Sequence, residues 1–147
     1  MSRRWLKSSL VVVTVRGISM RPALNDGDRV LVRRQVVPKR GRLAVVEQPV
    51  EGPEHWAQEP AGLGSRKVDL NTRRWMIKRV VATAGEWVPS GRTGNAAVDG
   101  QRVPEGHVVL LGDNTKVSFD SRHVGFFPME RMLGTVWRTL KKATREK

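Results

Sequence analysis

The chain has no cysteine among its 147 residues. That excludes a disulfide framework, a thiol nucleophile and a thiolate-ligated metal site. Tyrosine is absent too, and histidine is scarce: His55, His107 and His123 leave little material for a zinc site or a Ser-His-Asp triad. Acidic side chains are also in short supply. With 27 Lys plus Arg against 14 Asp plus Glu, the formal net charge is +13 and the pI about 11.5. Such an excess points to a polyanionic neighbour, either nucleic acid or an anionic membrane surface. Nucleic acid fits less well, because there is no helix-turn-helix pattern, no zinc-finger spacing and little interleaving of aromatics with cations. A membrane-facing or merely solvated basic face remains. Long apolar runs are missing as well: Leu10 to Val15 is six residues, against the ~20 a spanning helix needs. The run is β-branched and short, a poor secretory signal.

What is present reads as one domain with a core of its own. Residues 1–9 form a basic N-terminal segment, 10–138 the folded domain and 139–147 a basic tail. Alternating apolar residues predict strands at Leu10 to Val15, Asp28 to Arg34, Arg42 to Val46, Arg74 to Ala82, His107 to Leu111 and Gly134 to Arg138. Asp99-Gly100, flanked by alternating residues, predicts a two-residue hairpin turn. The stretch 47–73 is rich in Pro, Gly and charge and reads as an exposed loop. No repeat or domain linker interrupts the pattern. The expectation is a mainly β single domain of coiled, barrel-like antiparallel sheets.

Two residues in this frame have chemical interest. Ser19 lies in Gly17-Ile18-Ser19-Met20-Arg21-Pro22-Ala23-Leu24, between the first apolar run and the turn Asn25-Asp26-Gly27-Asp28. Alone, a serine beside a turn argues for local hydrogen bonding. Lys78 lies mid-strand in Arg74-Trp75-Met76-Ile77-Lys78-Arg79-Val80-Val81-Ala82, sharing a face with Met76 and Val80. A strand lysine is ordinarily solvated, but apolar neighbours on its own face desolvate the ammonium and lower its pKa. A third stretch, Gly112-Asp113-Asn114 with Ser118, Asp120-Ser121-Arg122 and Gly125, follows the strand at 107–111.

In order and type these three stretches resemble the signatures of signal peptidase I, a serine-lysine peptidase of the S26 type. The resemblance runs from about Val15 to about Val136. It implies that Ser19 is the nucleophile and that Lys78, with Gly85-Glu86 behind it, is the general base. It further implies that Ser118 orients the Lys78 amine, that Asp120 and Arg122 brace the loop carrying Ser118, and that Asp113 and Asn114 hold the site. Ile18, Met20, Leu24, Met76 and Ile77 would form shallow pockets for the small residues, typically Ala, one and three positions before the cut. The substrate would be a precursor protein or peptide, and no metal or cofactor is implied. Some members have a second oxyanion donor, a serine two residues before the nucleophile; Gly17 stands there. Members often carry an acidic residue where Arg42 stands.

The family is usually anchored by a spanning helix just before the nucleophile, and the run at 10–15 does not supply one. The expectation is therefore a cytoplasmic or peripherally membrane-associated enzyme, or an extracytoplasmic one if the true start lies upstream. Arg3, Arg4, Lys7 and the tail would supply weak contact with an anionic membrane, with Trp5, Leu6 and Trp137 adding apolar contact. A dedicated maturation protease is the nearest alternative, of the kind that removes a propeptide from nickel superoxide dismutase or a leader from a metabolite peptide. A self-cleaving repressor would need a DNA-binding domain before Ser19. A basic β module binding nucleic acid without catalysis is the alternative of another class.

Overall fold

The computed structural model describes residues 10–34, 36–50, 56, 60 and 72–140. The N-terminal segment 1–9, most of the loop expected at 47–73 and the tail from 141 lie outside the described residues. Seven strands form a single antiparallel sheet: β1 (Leu10–Thr14), β2 (Arg29–Arg34), β3 (Leu43–Glu47), β4 (Trp75–Thr83), β5 (His107–Leu111), β6 (Phe127–Pro128) and β7 (Met132–Leu140). Their order is β1-β2-β7-β3-β4-β5-β6. A four-residue helix, α1 (Ser121–Val124), precedes β6.

The sheet curls because its ladders are interrupted. Register shifts fall at Leu31/Val32, Val45/Val46 and Val80/Ala82, and each bulge bends its strand and adds twist. Curling brings β1 over β4: Val13, Val30, Val32, Val45, Ile77 and Leu133 share one buried cluster with Met20 and Leu24. A second cluster gathers Met76 and Val80 with Val108, Leu110 and Phe127. Val81 and Ala82 enter a third, with Val88, Val98 and Val103. The mid-chain strand β4 thus feeds all three, and both of its faces are covered.

Several boundaries differ from the sequence expectation. Glu47, expected to open the loop, is the last residue of β3 and is buried, because Arg73 and Arg131 both reach its carboxylate, at 2.8 and 3.2 Å. β7 begins two residues early and runs on through Thr139 and Leu140, which pair with Val30 and Arg29. The Asp99-Gly100 turn does not close a two-residue hairpin. An isolated bridge at Trp87 and Arg102 and backbone bonds such as Val88 N to the Gln101 carbonyl join the flanking segments, while the Asp99 carboxylate accepts from Thr93 N, Thr93 Oγ1 and Gly94 N at 2.6–2.8 Å. A side chain that organises a preceding loop in this way competes with the ladder.

Candidate active site

Ser19 sits in the connection from β1 to β2. Gly17 turns the chain with φ +81, a region that only glycine enters without steric cost, and its N–H donates to Asp26 Oδ1 at 2.7 Å. Beyond Ser19 the loop is pinned from below by Met20 and Leu24, each 1% exposed. Ser19 itself stays partly exposed. Buried apolar anchors on a short turn hold the hydroxyl-bearing residue against the sheet.

The segment after β5 grips this turn through the backbone. Asn114 N donates to the Ser19 carbonyl at 2.8 Å, Asn114 Nδ2 to the Ile18 carbonyl at 3.1 Å, and Asp113 N approaches Met20 Sδ at 3.5 Å. Gly112 marks the closest approach: a Cβ there would lie 2.1 Å from Ser118 Oγ and 2.9 Å from the Ser19 carbonyl oxygen. No side chain fits at that crossing. The Ser19 turn and the Ser118 loop therefore converge on one backbone position.

Lys78 enters the same region from β4, opposite Ala44. It is 2% exposed, and Nζ donates to Ser118 Oγ at 2.9 Å. Burial is the largest influence on the amine and lowers its pKa from the ordinary 10.5 to about 8; Asp120 pulls it up and Arg122 down. Ser118 Oγ in turn donates to Asp120 Oδ2 at 2.7 Å. That carboxylate, fully buried, also accepts from Gly112 N at 2.8 Å and from Arg122 Nε and Nη2. Burial pushes Asp120 up, but the bonds from Arg122, Gly112 and Ser118 outweigh it and hold the pKa at about 2. Its charge is directed to Arg122, and a neutral hydroxyl separates it from the lysine. Among the described residues no cluster of His, Asp and Glu has the makings of a metal site.

The other candidates are distributed less evenly. Of the five residues expected to touch substrate, Ile18 is exposed, Met20, Leu24 and Ile77 lie in the first core cluster, and Met76 lies in the second. Three supporting roles were not foreseen. Arg79, on the opposite face of β4 from Lys78, clasps Asp113 through two bonds of 2.8 and 2.7 Å and donates to the Gly41 carbonyl. Ser121 is buried and accepts from Leu110 N at 2.9 Å, tying α1 to β5. Asp26 fixes Gly17. The alternation of β4 already placed Arg79 away from Lys78, but nothing local paired it with a residue 34 positions on. His123 is exposed, closes the capping box of α1 and stacks on Phe119 at 5.2 Å.

The family model described as signal peptidase, peptidase S26, matches residues 6–101 and 89–140. Thylakoidal processing peptidase 1, chloroplastic, of Arabidopsis thaliana is 30% identical in a 141-residue alignment covering 79% of this chain and 37% of the relative. A probable signal peptidase I-2 of Synechocystis is 28% identical over 138 residues, covering 79% of this chain and 56% of its own length. The chain thus spans roughly a third to just over half of the curated relatives it matches.

Proposed function

Because the chain belongs to the signal peptidase family, peptidase S26, we propose that it is a serine endopeptidase that removes signal or leader peptides from precursor proteins after small residues of the Ala-x-Ala type, with Ser19 as nucleophile and Lys78 as general base. The observation that carries the reading is a buried lysine amine, lowered to about 8, hydrogen-bonded to Ser118 in a loop that also grips the Ser19 backbone. A serine hydroxyl near neutrality needs a positioned base to take its proton as it attacks. An amine performs that task only when uncharged, and burial moves the Lys78 amine toward that form. The Ser19 N–H serves the tetrahedral oxyanion. Lys78 then returns its proton to the leaving amine, and water, deprotonated by Lys78, releases the acyl group.

The remaining site residues position this pair. Ser118 fixes the direction of the Lys78 amine, Asp120 and Arg122 hold Ser118, and Asp113 and Asn114 lock the nucleophile turn. Ile18 on the surface, with Met20, Leu24 and Ile77 in the first core cluster and Met76 in the second, limits the side-chain size accepted. A basic groove of about 320 Å³ near Arg33, Lys39, Arg42 and the exposed Trp137 supports partial attachment to an anionic membrane. Among the described residues no helix is long and apolar enough to cross a membrane.

The test is cleavage of a precursor peptide with an Ala-x-Ala site, with and without anionic vesicles. Ser19→Ala and Lys78→Ala each lower kcat/KM about 1,000-fold or more, and the parent's kcat/KM rises with pH through an apparent pKa near 8 as Lys78 loses its proton. Unchanged cleavage in either variant overturns the dyad. A lipid requirement in the parent marks membrane attachment.

A further inference from the structure

The curled sheet leaves two strand edges open across one groove. Among the described residues β1 is hydrogen-bonded only to β2. β4 pairs with β3 from Trp75 to Arg79 but with β5 only from Arg79 onward, so its Trp75–Lys78 edge opposite β3 carries no strand among the described residues. Between them lies a groove of about 600 Å³, whose lining includes Val12, Thr14, Arg16, Gln48, Arg74 and Trp75. Open edges offer unpaired backbone donors and acceptors to an extended peptide, and side chains along that peptide alternate between the two faces.

The charge of this groove is one-sided. Arg73 is tied to Glu47 at 2.8 Å, but Arg16 and Arg74 are exposed, and among the described residues no carboxylate lies within ion-pair distance of either. Val12 and the half-buried Trp75 provide apolar surface beside them. Trp75 lies three residues before Lys78 in an extended strand, about 10 Å from it. A peptide seated here therefore presents to the arginines residues about three positions from its scissile bond.

We propose that the groove between β1 and β4 selects precursors bearing acidic side chains in the segment it seats, with Arg16 and Arg74 as the specificity-determining residues. This rests on the peptidase reading of the site. Each exposed ion pair contributes a few-fold at most, so the two together give a preference of about fivefold at low salt that fades as ionic strength rises.

The experiment uses the full chain and fluorescent peptides that share one Ala-x-Ala site and carry Glu, Gln or Lys two, four or five residues before the cut, or two to five residues after it. Cleavage of each is compared in the parent, in Arg16→Gln/Arg74→Gln and in Arg16→Glu/Arg74→Glu, at low and high salt. The expected result is a Glu over Gln over Lys order in the parent, confined to one side of the cut. That order collapses in the glutamine pair, reverses in the glutamate pair and weakens at high salt. Equal kcat/KM for the three peptides, or a preference that survives the double substitutions, overturns the proposal. If no peptide is cleaved, the peptidase reading fails by itself, and anisotropy of the same peptides on the parent decides the groove: Glu binding tighter than Lys supports it, equal binding overturns it.

Discussion

Two buried charges sit on neighbouring strands of this molecule and are treated in opposite ways. Glu47, at the end of β3, is 2% exposed and is met by two guanidinium groups, Arg73 at 2.8 Å and Arg131 at 3.2 Å, with Arg131 also lying over the Trp56 ring. Lys78, three register steps along on β4, is equally buried yet is met by a neutral hydroxyl. The first site surrounds its carboxylate with opposite charge; the second drives its charge toward the neutral form. Depth is the same, so the partner separates a structural ion from a group available for proton transfer.

Removing the compensated charge should do the greater damage. Glu47→Leu leaves two largely buried arginines without their carboxylate and should lower stability by about 3–5 kcal/mol in urea titrations at pH 7. Lys78→Met should act in the opposite direction. The folded-state pKa lies below the ordinary one, so burying the cation costs stability below pH 8, and that cost fades as pH rises from about 8 to 10.5. The variant should therefore gain up to about 3 kcal/mol at pH 7, with its advantage vanishing near pH 10.5 although it cleaves nothing. A loss of stability in Lys78→Met at neutral pH would erase the contrast between the two sites.

Asp120 sharpens the comparison from the acidic side. Its pKa is depressed to about 2, so its contribution is complete above about pH 4 and is lost as pH falls through about 2. Acid titration of stability should show about 2 kcal/mol lost over that window, and Asp120→Asn should flatten this limb. The smallest effect concerns the hydroxyl between the charges. Ser118→Ala deprives the Lys78 amine of its 2.9 Å acceptor, and kcat should fall about tenfold with KM little changed. Ser118→Thr, which keeps the hydroxyl, should restore most of it.

How far this was legible in the sequence varies with the range of the interaction. The β strands were readable to within a residue or two where apolar alternation was strong, as in β4 and β5. The reading failed where a side chain intervened: Asp99 binds its preceding loop instead of closing a hairpin, and Glu47 is drawn into the core by arginines 26 and 84 residues away. The partners of Arg79 and the role of Ser121 were likewise out of reach, since local pattern does not identify contacts 34 and 11 positions distant.

The sequence by itself determined the strand periodicity, the absence of thiol chemistry, the excess of positive charge and the positions of Ser19, Lys78 and Ser118, because these depend on residue type and short-range spacing. Only the tertiary structure decided that Lys78 is buried, that its amine meets a hydroxyl 40 residues on, and that Gly112 lets the Ser118 loop touch the Ser19 turn. It also decided that, among the described residues, β1 and β4 leave open edges across a groove lined by Arg16 and Arg74. Desolvation and long-range hydrogen bonds belong to the packed sheet, which brings together groups that are far apart along the chain.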